Sequence, residues 1–179
     1  GMSEPNEASS FLDRIEIVTA TGRYRLGGPP VAPAGTDAGP ARVRTLAAEA
    51  MRWSYLLRSR ERWRDSADVL ARHERDAGDT LHAFGLDDAA LREIAVAGRV
   101  VVTMPYASER EGWDARIFPW EYVLSRATAR HRSSAPALVV MRQMLVAELL
   151  QRWPAELQSG WYHGRSLAPR VLLVQSFPG

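Results

Sequence analysis

The sequence contains no cysteine and no lysine. Without a thiol, disulfides, thiolate metal sites and a cysteine nucleophile are all excluded within these residues. Without lysine, all 23 basic residues are arginine, and the net charge is still only +2 because 21 acidic residues are interleaved with them. A protein that tracks a phosphate backbone needs a basic face, so nucleic acid is disfavoured as a partner. No apolar run approaches the roughly 18 residues that a membrane span requires, and no basic and apolar leader opens the chain. A cytoplasmic protein with no membrane partner is the expectation. Gly1 ahead of Met2 reads as the remnant of a cleaved tag, which makes Met2 the natural start.

What is present is enough for a real core. A chain of 179 residues with 46% hydrophobic and 25% charged residues suits one globular domain. Residues 1–10 are polar. From Phe11 to Tyr24 the pattern "FLDRIEIV" alternates apolar and polar, turns at Thr21-Gly22 and continues in "RYRL", which predicts a β-hairpin. The Gly- and Pro-rich "GGPPVAPAGTDAGPA" then predicts a loop. From Ala41 the period becomes helical, with Leu46, Ala50, Trp53 and Leu57 on one face. A second register, Trp63, Ala67, Leu70, Ala77, Leu81 and Phe84, makes a helical hairpin or one long bent helix. Gly85 is a stop, and Asp87 caps a short helix "DAALREIA". "GRVVVTMPY", "ALVVM" at Ala137 to Met141 and "RVLLV" at Arg170 to Val174 read as buried strands, and "MLVAELLQRW" reads as helix.

Candidate chemistry is sparse. His73, His82, His131 and His163 include no pair at metal-ligand spacing, and His73 and His82 fall on opposite sides of a helix. His163 in "WYHGR" lacks an activated partner, and Ser176 in "VQSFP" lacks the glycines of a nucleophile elbow. Glu109, Glu111, Asp114 and Glu121 cluster in sequence, the first three in a polar loop suited to solvation, not to paired acid and base work. "LGGPP" places prolines where a phosphate cradle needs amide hydrogens. In "RWSYLLRSRERWRD" the aromatics fall at core spacing, so the arginines read as a solvated flank and not as a base-stacking platform. No catalytic set, no metal and no cofactor are expected from these patterns.

The run "IFPWEYVL" opens a helix. Pro119 has no amide hydrogen to lose at the first helical position, Glu121 faces the positive end of the helix dipole, and Trp120, Leu124 and Ala127 share a face. In order along the chain, "GDTLHAF", a strand, "IFPWEYVL", "ALVVMRQM" and "RVLLVQSFPG" resemble the N-terminal half of a CHAT domain. This is the caspase-like module found with tetratricopeptide repeats in bacteria and related to separase. The resemblance covers residues from about Gly78 to Gly179 and leaves residues 1–77 unmatched. It implies that Pro119, Trp120 and Glu121 are scaffold and that the histidine and cysteine of the peptidase dyad come later in the family's chain. His163 precedes the last strand and does not match the family histidine, and the stretch from Gln151 to Pro169 is longer than the family's usual connection.

The expected fold class is therefore α/β, with a mixed or mostly parallel sheet flanked by helices, an N-terminal β-hairpin and a helical hairpin. Residues 1–40 form the tail, hairpin and loop; residues 41–179 form the helical hairpin and the N-terminal part of a CHAT-like domain, continuous with it. The chain stops directly after a strand, which suggests a longer polypeptide in which this piece supports or regulates a catalytic half. The expected partner is that half or another protein, and self-association is a further expectation. The alternative is an adaptor that presents the Arg-rich helices.

Overall fold

The computed structural model describes residues 11–32, 43–59, 66–132, 136–146 and, as backbone, 170–176. The expectations for "WYHGR" with His163, for Trp63 and for the 151–169 stretch lie outside the described residues. After one 3-10 turn at Leu12–Arg14 come β1 (Glu16–Val18) and β2 (Arg23–Arg25). Then follow α1 (Leu46–Arg58), α2 (Ala67–Ala83), α3 (Asp88–Ala97), β3 (Arg99–Pro105), α4 (Arg110–Ile117) and α5 (Trp120–Thr128). A 3-10 turn at Ala129–His131 leads to β4 (Val139–Leu145), and β5 is Arg170–Ser176.

The strands form one sheet in the order β2-β1-β3-β4-β5. Only β3 and β4 are parallel, and α4 and α5 lie between them in the chain; β1 pairs antiparallel with both β2 and β3, and β5 antiparallel with β4. The fold is thus α/β with a mixed sheet. The hairpin starts later than the alternation suggests, because Phe11 to Arg14 turn instead of extending. Its tip is closed by Thr19, whose hydroxyl accepts from the Gly22 amide at 3.0 Å.

Local chemistry sets the helix ends. The side chains of Thr45, Ser66 and Asp87 accept from the amides of Ala48, Val69 and Ala90, each satisfying one of the donors that a helix start leaves open. Gly98, at φ 74°, closes α3 in a left-handed conformation that costs other residues strain, and β3 begins one residue later. The two predicted helical registers become two separate helices. They run antiparallel, since Glu49 meets Thr80 while Arg52, further along α1, meets Asp76, earlier in α2. In α2 the buried positions are Val69, Ala77 and Thr80 to Ala83; Ala67 is exposed and Leu70 half-buried, so the predicted register holds only in the second half.

Two sequence expectations are corrected. The strand predicted at Ala137 to Met141 runs on to Leu145, so Met144 and Leu145 are strand and not the start of a helix. Arg142 and Gln143 interrupt the apolar run in sequence, but Arg142 sits on the buried parity of the strand because a carboxylate waits for it there. Glu111 and Asp114 lie in α4, with Glu109 as its cap residue, not in a loop. Gly112 lets α4 come close: a Cβ there would stand 2.3 Å from the Ala107 carbonyl oxygen.

The core lies on one side of the sheet. Ile17, Val100, Val102, Met104, Val140 and Met144 join the helices' Trp53, Leu81, Phe84, Leu91, Phe118 and Trp120 in one apolar cluster. Each large side chain so buried contributes roughly 1.5–3 kcal/mol. Residues of the other parity, Val18, Val101, Thr103, Met141, Gln143 and Leu145, are half-buried and outside that cluster.

Candidate functional site

The Pro-Trp-Glu run is built into the core. Pro119 is the cap residue and α5 begins at Trp120, one position later than predicted, which still spends no amide hydrogen on the proline. Trp120 is fully buried; its indole N–H donates to the Ala115 carbonyl at 2.8 Å and its ring lies 4.4 Å from that of Phe118. Glu121 does not serve the helix end with its side chain. Its carboxylate, 2% exposed as a residue, receives the Arg142 guanidinium from β4 through both oxygens, Nη2 to Oε2 at 2.7 Å and Nε to Oε1. Arg142 also donates to the carbonyls of Arg116 at 2.5 Å and Phe118 at 2.8 Å. A buried charge is tolerable only when its hydrogen-bonding groups are met, and here helix, cap and strand meet them together. The arrangement is a clamp, with no polar atom left over for a substrate.

A second charged cluster joins α1 to α2. Arg52 holds Glu49 at 2.6 Å and Asp76 at 2.5 Å, and Arg44 reaches Asp76 at 3.1 Å. Thr80 accepts the Trp53 indole N–H at 3.1 Å beneath them. Burial alone would raise the Asp76 carboxyl, but the hydrogen bonds and charges of Arg52 and then Arg44 outweigh it and hold it below the usual carboxylate range. The arginines of the "RWSYLLRSRERWRD" segment that the structure describes are thus partly structural, since Arg52 also lies over the Trp53 ring at 5.2 Å. His73, on the same side of α2, shares its Nδ1 with the Tyr122 hydroxyl at 2.7 Å.

A cleft of about 830 Å³, lined mostly by charged side chains, lies between α2, α3 and the end of α5. His82 lines it, buried, with Nε2 2.9 Å from the Asp88 carboxylate; Asp88 also takes Arg130 at 2.8 Å. His131 lies in the same cleft. Burial, and after it the charges of Arg130 and Arg92, outweigh Asp88 and Glu74 and keep its imidazole below the ordinary histidine value. An Asp-His pair can orient a general base, yet His82 Nδ1 has no hydrogen-bond partner, so no hydroxyl is poised on it for activation. Among the described residues no group of three or more His, Asp and Glu is arranged to hold a metal ion.

The carboxylates that cluster in sequence are not brought together. Asp114 is buried on α4, with Oδ1 3.6 Å from the exposed Arg110 and Oδ2 unpartnered. Glu121 is committed to Arg142. Gly27 and Gly28 pack the entry loop against the end of α2, where the Gly27 amide donates to the Phe84 carbonyl at 3.0 Å. Ser176 is the last residue of β5. Sequence reasoning missed the Glu121 to Arg142 bond; the signal for it is an arginine at a buried-parity position in the middle of a mostly apolar strand. It also missed the cleft, which draws its walls from three separated segments.

Among the described residues no helix is long and apolar enough to cross a membrane. Comparison with known protein families, with curated proteins and with solved structures finds no match to this chain.

Proposed function

We propose that this chain is the non-catalytic, bracing half of a caspase-like module of the CHAT type, acting in the cytoplasm. Its sheet would carry a catalytic half on the face away from the described helices. The observation that carries this reading is the apolar character of that face. Val101, Val139, Met141 and Leu145, on the parallel strands β3 and β4, stand half-buried on a face where strands bounded by water would be mostly polar, and only Thr103 and Gln143 between them are polar and half-buried. Strands apolar on both faces are the pattern of a sheet covered twice. A depression of about 290 Å³ on this face, between Arg14, Glu16, Thr103 and Gln143, gives a partner a polar anchor inside the apolar surround.

The clamp supports the same reading. Glu121 belongs to "IFPWEYVL" and Arg142 to "ALVVMRQM", two of the segments that carry the CHAT resemblance, and a buried two-oxygen bond ties them together. Such a bond stiffens a platform and leaves nothing to react.

The test has two arms. The 179-residue chain, assayed against arginine- and lysine-directed peptide substrates, should release no product. The natural polypeptide read beyond Gly179 should supply a His-Gly pair and a cysteine, and when that segment is expressed separately it should bind the chain and lose binding with Met141→Glu. Turnover by the chain alone, or binding indifferent to Met141→Glu, would refute the proposal.

A second reading, an adaptor, is favoured by Met51 and Tyr55, which stand 67% and 70% exposed one turn apart on α1. In that case Met51→Glu, and not Met141→Glu, abolishes partner capture. Self-association through the open face would show as a dimer that Met141→Glu dissolves.

A further inference from the structure

The cleft holds more charge than its own contacts use. Asp88 is committed to His82 and Arg130. Among the described residues Glu74, Arg75, Asp79 and Arg92, which also line the cleft, make no ion pair. Glu74 and Asp79 are half-buried carboxylates, where an unpaired anion is less well solvated than at the surface. At about 100° per residue they stand at the two edges of one arc of α2, with Gly78 and His82 between them.

The floor of that arc is bare. A glycine inside a helix costs about 1 kcal/mol against alanine. Packing does not call for Gly78, because a Cβ there would meet nothing within 4 Å. Ala127, the other small residue of the lining, leaves the space open from α5. Beside Gly78 the buried His82 carries its unpartnered Nδ1.

The remaining groups have the opposite requirement. Arg92 on α3 and His131 after α5 both line the cleft beside Arg130, whose Nε donates to His131 Nε2 at 3.2 Å, and the anions that act on His131, Asp88 and Glu74, do not outweigh the arginines there. A purely anionic ligand would meet Glu74 and Asp79, and a purely cationic one would meet three arginines. The complement is a small molecule or chain segment that carries both signs, and about 830 Å³ is room enough for it.

We propose that this cleft binds a zwitterion of the amino-acid type, with its amino or guanidino group against Glu74 and Asp79 and its carboxylate against Arg92 and His131. The site rests on the cleft alone and stands or falls independently of the bracing role. The same chemistry could come from a free amino acid or from a peptide with neighbouring opposite charges, and the probes separate them.

The experiment titrates the 179-residue chain at low salt with L-arginine, with a capped Arg-Gly-Glu tripeptide, with agmatine and with acetate, following amide and imidazole resonances. L-arginine or the tripeptide should shift Gly78, Arg92 and His131 together. Agmatine and acetate should bind at least about tenfold more weakly, each lacking one charge-assisted contact. Asp79→Asn and Arg92→Gln, which remove no hydrogen bond or ion pair among the described residues, should each weaken the zwitterion by about tenfold. Saturation by L-arginine marks a free amino acid, and saturation by the tripeptide alone marks a peptide. Agmatine or acetate binding as tightly as the zwitterion, no shift at these residues with any probe, or unchanged affinity in both variants would overturn the site.

Discussion

Val102 and Val101 are neighbours on β3 with opposite surroundings: one is wholly buried under the helices, the other half-buried on the sheet's far side. The same contrast runs along β4, where Val140, Arg142 and Met144 face inward and Val139, Met141, Gln143 and Leu145 face outward. The inward face has used its hydrophobic surface and has even accommodated a charge, Arg142, by giving it a complete set of acceptors. The outward face keeps apolar area that burial would still stabilise, at roughly 25 cal/mol per Å². The difference teaches that, among the described residues, the apolar cluster with the helices lies on one side of this sheet, and the second layer proposed above would lie on the other.

The contrast can be broken from the inside first. Glu121→Ala leaves the Arg142 guanidinium buried without its carboxylate and should cost about 3–5 kcal/mol in urea unfolding. Adding Arg142→Met should recover most of the loss, as a double-mutant cycle would show. Met104→Ala, on the covered face and fully buried, should cost about 2–5 kcal/mol, whereas Met141→Ala on the open face should cost under about 1 kcal/mol. Equal costs for the two methionines would mean that both faces are packed alike.

A smaller effect sharpens the account of the helical layer. Asp76 has a lowered carboxyl because Arg52 and Arg44 overcome its burial. As pH falls the unfolded chain therefore takes up the proton first. Its contribution is present above the ordinary carboxylate range, about pH 4, and is lost as pH falls further through the folded value. Asp76→Asn should lower the Tm at pH 7 and narrow the gap between pH 7 and pH 3. The change stays modest because Arg52 is 37% exposed and water screens the pair.

Much of the fold was readable from spacing and caps. The apolar stripe Leu46, Ala50, Trp53 names the buried face of α1, Asp87 caps α3, and "GRVVVTMPY" becomes β3. What escaped depends on distant partners. Arg142 looks like a strand breaker until Glu121, 21 residues earlier, is placed against it. α4 has almost no apolar periodicity, because a glycine at the Ala107 contact replaces an apolar stripe there. The cleft is assembled from α2, α3 and α5, and no single stretch of sequence announces it.

The absence of cysteine allows the one-sided sheet to be tested residue by residue. Single variants Thr103→Cys and Val102→Cys, one residue apart on β3, can be exposed to a maleimide under native conditions and the labelling rates compared. A platform open on one face requires the cysteine at 103 to react freely and the cysteine at 102 to react only at the rate of unfolding. Protection of both thiols to the same degree would mean that the face is already covered, and the bracing role would lose its basis.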